Sequence, residues 1–396
     1  MLRTGWFVRA CIMILLLAAS LFAVRPMITY RALELGATTG QIGLLAASYG
    51  MLSFFVAVPA GRWSDRFGEG PFMLGGILLM ALMSVGLFLA TSLLVLAIAQ
   101  AIMGAAHIVA LVAVQRLVAG TGPPGQREGR FGLFSVFASI GQVLGPGAGG
   151  FLAASAESSS RAVFLMSSAI LVPAAIGALS LHRRPPEGRR PDATPAAEQQ
   201  GVLRSVATVL SFRSMPQAMA ASITALVAID LLAAYLPAYG EYHGIPVATI
   251  GLLLSIRAGV SGLSRIIMVR IIERFGRKEV FIASNAAPAV AILLMPLLPD
   301  PLVLGVLMTI VGFGLGFGQP MSIAFVSGAV PPEMRGMALG VRLSGNRVGQ
   351  VILPALVGLV GGASGVGAVF VALGGIMLTT SAVLTTADFN TSQHEY

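Results

Sequence analysis

Charge is scarce in the 396-residue chain: 10% of its residues are Asp, Glu, Lys or Arg, against roughly 25% in a soluble globular protein. With so few, most of the surface cannot face water. Lys278 is the only lysine, so the cations are arginines. The net charge of +9 is scattered between apolar runs, which reads as a topology signal rather than a nucleic-acid patch. Cys11 is the single cysteine, which excludes an intrachain disulfide and a cysteine-based metal site. Histidines stand only at 107, 182, 243 and 394. They are too dispersed to supply a nucleophile with its base or paired metal ligands, so no catalytic residue, metal or cofactor is expected. A receptor would be expected to carry a sizeable soluble domain, and no stretch of this sequence reads as one.

What is present is apolar sequence: 56% hydrophobic residues and a mean hydropathy of +0.88. A membrane span needs about 20 apolar residues. Twelve candidates lie at 7–31, 41–61, 72–90, 93–118, 131–154, 161–181, 216–239, 248–269, 279–298, 302–327, 337–360 and 366–386. The first lacks a small-residue cleavage site followed by a polar region and is kept as a span rather than a signal peptide. The fold class expected is an all-α membrane protein. Residues 1–181 would form one six-helix bundle and 216–396 the other. The Pro-rich, charged stretch 182–215 would be a cytoplasmic linker with room for a short surface helix. Arginines follow spans 2, 4, 8 and 10 and fill the linker, whereas the alternate loops hold mostly acids. Both termini are thus expected on the cytoplasmic side.

The two halves repeat at a constant offset of 208 residues. Gly36, Ile42 and Gly43 fall on Gly244, Ile250 and Gly251; Arg66, Phe67 and Gly68 on Arg274, Phe275 and Gly276. Gly104 falls on Gly312, and Gly141, Gln142 and Pro146 fall on Gly349, Gln350 and Pro354. One offset over separated segments marks a parallel internal duplication.

Residues 141–152 read GQVLGPGAGGFL. Small residues let membrane helices approach closely, but their order is more specific. Gly141, Gly145, Pro146, Gly149, Gly150 and Leu152 match the antiporter motif of the major facilitator superfamily, found on helix 5 of its exporters. The loop 61–70, GRWSDRFGEG, resembles another motif of that family through Gly61, Asp65, Arg66 and Gly68. It departs at Trp63, Glu69 and Gly70. The resemblance implies two six-helix bundles that rock about a central cavity lined by helices 1, 4, 7 and 10. It also implies a gate in which Asp65 meets the start of helix 11 in the outward-open state, with Glu273 as its symmetric counterpart near helix 5. A helix N-terminus favours such an anion by about 0.3–1 kcal/mol. Around Gly104, Gln100 stands where exporters of this kind carry an arginine tied to proton transfer.

Charges inside a span cost about 2.5–3.5 kcal/mol on insertion scales and are functional candidates by default. Arg257 and Arg347 lie near mid-span, Asp230 and Arg25 nearer the outer ends, and Arg342 is shallower, within reach of the surface by snorkelling. Asp230 can pair with Arg257 or Arg25. In either case the arginines are in surplus, which suits a carboxylate or phosphate. Arg257 falls opposite Tyr49 and Arg347 opposite Ser139 in the repeat, so both are additions to the shared scaffold. The expected substrate-contacting set is Arg257, Arg347, Tyr49, Tyr235 and Gln100; the expected proton-coupling groups are Asp230 and His107. The resemblance leads to a monomer in the bacterial inner membrane. It would export a small organic, anionic or amphipathic molecule in exchange for protons, with no nucleic-acid partner. The rival is an importer or facilitator of an organic anion on the same fold.

Overall fold

The computed structural model describes residues 5–120, 127–155, 159–182, 202–331 and 334–387. Twelve of its helices are long and apolar enough to cross a membrane. They are α1 (Gly5–Glu34), α2 (Thr39–Phe67), α3 (Glu69–Leu89), α4 (Leu93–Gly120), α5 (Arg127–Ser155), α6 (Ser159–His182), α8 (Met215–Tyr242), α9 (Val247–Phe275), α10 (Arg277–Leu294), α11 (Pro301–Gly328), α12 (Arg335–Ser364) and α13 (Val366–Thr385). A nine-residue helix, α7 (Val202–Leu210), lies in the stretch between the halves and packs on α12. Several helices outrun their apolar runs. α2 continues through the charged turn to Phe67, because nothing between Pro59 and Gly68 breaks it.

The turns repeat as the sequence does. Positive φ angles occur at Gly36 and Gly244, which follow α1 and α8, and at Gly68 and Gly276, which cap α2 and α9. A left-handed residue ends a helix at no steric cost only when it is glycine. The duplication has thus kept glycine at both members of each pair.

Within the first half α1 packs on α5 and α6, and α4 on α2 and α3; within the second, α9 packs on α11, and α10 on α11 and α13. The halves meet along α2–α12, α5–α9 and α1–α8. Burial ranks the helices by position: α8 and α1 are the most enclosed, with 72% and 67% of an 18-residue apolar stretch buried, followed by α4 and α11 at 56% each. The outward helices show large apolar side chains such as Leu82, Ile176, Ile266 and Leu302, as a lipid-facing surface requires.

Chain direction divides the bundle into a basic end, carrying the arginine-rich loops, and a far end, carrying the turns at Gly36 and Gly244. The far end is sealed by two crossings. Gly43 of α2 lies against Gly358 and the Pro354 carbonyl of α12; Gly150 of α5 lies against Gly251 and the Val247 carbonyl of α9. A Cβ on Gly43 would come within 2.6 Å of the Gly358 Cα, and one on Gly150 within 2.9 Å of the Gly251 Cα. Shifted by 208, Gly43 becomes Gly251 and Gly150 becomes Gly358, so the crossings are mates related by the repeat. Close backbone approach between small residues is the main attraction available to helices in lipid.

Candidate functional site

Five arginines lie at least seven residues inside their helices: Arg25 on α1, Arg257 and Arg265 on α9, and Arg342 and Arg347 on α12. Among the described residues Asp230, in the middle of α8, is the one carboxylate at such depth. The structure settles which arginine it takes. Asp230 Oδ1 is in an ion pair with Arg25 across the two halves, and its Oδ2 accepts a hydrogen bond of 2.5 Å from Gln350 Nε2. Gln350 Oε1 accepts in turn from Arg347 NH1 at 2.6 Å. On the other side the Arg25 guanidinium sits 4.5 Å from the centre of the Tyr49 ring, and the Tyr49 hydroxyl meets His107 Nδ1 at 2.8 Å. One polar chain, His107–Tyr49–Arg25–Asp230–Gln350–Arg347, thus runs through α4, α2, α1, α8 and α12. It brings together four of the expected site residues besides Arg25.

Arg257 is not in that chain. Its side chain is 2% exposed, its Nε has no hydrogen-bond partner, and it makes no ion pair among the described residues. Asp230, Arg25 and Arg265 are the charges close enough to act on it. Gln100 is likewise buried, with its Oε1 unpaired. The expectation that Arg342 snorkels is corrected. It is 3% exposed and turns inward, donating from Nε to Ser322 Oγ at 2.6 Å and from NH2 to Gln319 Oε1 at 2.5 Å. Gln319 reaches on to the Ser222 carbonyl, so a polar cluster inside the bundle holds the guanidinium more cheaply than a stretch to the interface.

Tyr235 is placed in the seal. It is fully buried, donates to the Thr39 carbonyl at 3.1 Å, and its hydroxyl lies beside Gly43 and Gly358. Thr29 adds a second bond from α1, to the Ala234 carbonyl at 2.8 Å. The glycines of the helix-5 motif divide by face. Gly141, Gly145 and Gly149 lie against Leu15, Ala19 and Ala23 of α1, and Gly147 and Gly150 against Ser255 and Gly251 of α9. The Pro146 carbonyl also lies on Gly251. The motif is a two-sided spacer, one face within its own half and one between halves. Ser255 Oγ donates to the Val143 carbonyl, about one turn before the glycine it faces, at 2.6 Å.

Of the loop residues, the side chains of Asp65 and Arg66 and the surroundings of Gly61 lie outside the described residues. Glu273 is exposed at the basic end of α9. All four described side-chain hydrogen bonds that cross between the halves lie at the far end or mid-bundle. Sequence reasoning missed Arg265, which donates to the Gly316 carbonyl, and Gln350 and Gln319. A neutral amide costs less to bury in a span than a charge and so stands out less, although Gln350 was visible as the repeat mate of Gln142. An apolar cleft of about 460 Å³ lies among α9, α10 and α11, and another of about 400 Å³ between α10 and α11, with Ala287 and Ile310 in both. Neither touches the polar chain.

The model of the Major Facilitator Superfamily matches residues 10–249 and 218–392. The chain belongs to this family. It is therefore a membrane transporter, with the twelve-helix architecture that family members share. Quinolone resistance protein NorA of Staphylococcus aureus is 27% identical over 162 residues, 41% of each chain. Multidrug resistance protein 2 of Bacillus subtilis is 30% identical over 135 residues, 34% of this chain and 33% of that protein. The chain thus spans about two-fifths or less of the length of these curated relatives. A point mutant of the nucleoside transporter NupG superposes with a TM-score of 0.82 at 16% identity, covering 96% of this chain and 99% of that one, a likeness of fold alone.

Proposed function

We propose that this family member is a secondary active transporter of the bacterial cytoplasmic membrane, exporting a small organic molecule in exchange for protons. The basic end would face the cytoplasm, as arginine-rich loops do, with both termini on that side. The seal at the far end then closes the outer face. The antiporter-type order of Gly141–Leu152 and the partial likeness to NorA, a quinolone resistance protein, support export.

The observation that carries the reading is the Arg25–Asp230 pair. Among the described residues it is the one ion pair between the halves, so the charged part of the contact between them rests on a single carboxylate. A proton on Asp230 cancels its attraction for Arg25. A substrate group that draws Arg25 away competes with Asp230 for the same guanidinium. Either event loosens the seal, whereas the empty, ionised carrier stays locked. Obligatory exchange requires that the empty form not reorient. His107, joined to Arg25 through Tyr49, is the second titratable group on the route.

The test is solute flux in proteoliposomes under pH gradients of either direction. Wild type should accumulate substrate in the acidic compartment against its gradient, because protons leave that compartment in exchange. Asp230→Asn should keep downhill flux and lose accumulation, because its lock is permanently weakened. Accumulation that persists in Asp230→Asn would sink the proposal. Gln100, standing where an arginine is usual in exporters of this type, favours a second reading, a facilitator of an organic anion. In that case wild-type flux would be downhill only.

A further inference from the structure

The polar chain leaves an imbalance. Around one carboxylate stand Arg25, Arg257 and Arg347, and only Arg25 is neutralised by it. Arg347 rests on a neutral amide. Arg257 has no ion pair among the described residues, although it is buried and Asp230 and Arg25 lie within electrostatic reach. Arg347 lies on the other flank of the chain, near enough with Arg25 to act on His107. A buried guanidinium without a counter-charge is among the least favourable arrangements a protein can keep, because desolvation is uncompensated. Sequence economy does not explain it, since the repeat mates of Arg257 and Arg347 are the uncharged Tyr49 and Ser139. Arg265 and Arg342, by contrast, hold carbonyl, hydroxyl and amide oxygens inside the second half, and so have structural occupants.

We infer that the site takes a small organic dianion, a dicarboxylate or a phosphate monoester, whose two charges neutralise Arg257 and Arg347. This rests on the transport reading and names its substrate class. The planar fork of a guanidinium binds carboxylate or phosphate through two parallel hydrogen bonds. Two arginines on different helices, α9 and α12, would grip one ligand from two sides. With the ion pair intact, a dianion brings the net charge of the three arginines, the aspartate and the ligand to zero. A cation would raise the surplus further.

Two measurements on the purified full-length protein test this. The first needs no ligand: the thermal midpoints of Arg257→Met and Arg347→Met. A side chain of similar bulk without the charge should hold or raise the midpoint if the arginine waits for a substrate. A lowered midpoint in Arg257→Met means that the protein itself satisfies the charge, and overturns the inference. The second is stabilisation of the wild type by phthalate, phenyl phosphate, benzoate, phthalamide and tetraphenylphosphonium. Phthalate or phenyl phosphate should stabilise at lower concentration than benzoate, with phthalamide inert. Each arginine variant should shift half-saturation by about tenfold or more, one charge-assisted contact's worth. Stabilisation by tetraphenylphosphonium alone, no effect of any anion, or a phthalate effect that survives Arg257→Met overturns it. Cation flux coupled to protons would remove this inference and leave the exchange reading standing. Dianion flux without proton movement would do the reverse.

Discussion

Tyr49 meets its neighbours in two ways, and they can be separated. Its ring lies under the Arg25 guanidinium and its hydroxyl bonds His107. Tyr49→Phe keeps the ring and removes one hydrogen bond, a loss of about 0.5–1.5 kcal/mol. Tyr49→Ala also removes a cation–π contact of about 0.5–2 kcal/mol and leaves a void. Transport by Tyr49→Phe should stay within about tenfold of wild type, whereas Tyr49→Ala should fall well below that. Equal losses would mean that the hydroxyl alone matters. Arg25→Gln is harsher, because it strands Asp230 in the bundle. Removing one partner of a fully buried pair costs about 3–5 kcal/mol and of this part-buried one less, so the thermal midpoint should drop, and Arg25→Gln/Asp230→Asn should recover part of the loss. A double variant no better than the single would show that the two side chains act independently. At this scale the sequence was only partly legible. Insertion cost marks Arg257, Arg347 and Asp230 as exceptional from composition alone. Which arginine Asp230 takes depends on rotation about α1, α8 and α9, which depth along a span does not fix.

Among the elements, α5 and α2 do the same work on opposite sides of the bundle. Each presents a glycine to a glycine of the other half, and each crossing has a proline carbonyl beside it, Pro146 on Gly251 and Pro354 on Gly43. An added methyl has no room at either place. Gly43→Ala and Gly150→Ala should therefore hold the far end apart, while Gly75→Ala, where a Cβ meets nothing within 4 Å, should not. In a Cys11→Ser background, spin labels at Thr91→Cys and Leu298→Cys report the separation of the halves at that end. Longer distances for both crossing variants and an unchanged one for the control are expected; unchanged distances throughout would show that the crossings do not set closure. The elements were the most legible part of the chain. All twelve spans stand out as apolar runs, and the offset of 208 residues already pairs Gly43 with Gly251 and Gly150 with Gly358. What the offset does not say is which glycine faces which helix. Gly141, Gly145 and Gly149 share a face by their spacing of four, yet only packing shows that this face meets α1 and its opposite meets α9.

For the whole molecule, a polar lock in the middle and two glycine crossings at the far end make closure of that end a single event. The crossings supply shape, and on the proposed exchange reading the Arg25–Asp230 pair would supply dependence on protonation. Loss of the pair's charge should thus be felt at both ends of a two-domain rocker. The most direct measurement places two spin-label pairs in the Cys11→Ser protein in proteoliposomes: Thr91→Cys with Leu298→Cys at the far end, and Pro71→Cys with Arg277→Cys at the basic end. Alternating access gated by Asp230 is expected to lengthen the first distance and shorten the second on acidification, with Asp230→Asn showing the acid pattern at every pH. Distances that stay fixed with pH, or ends that open together, would contradict it.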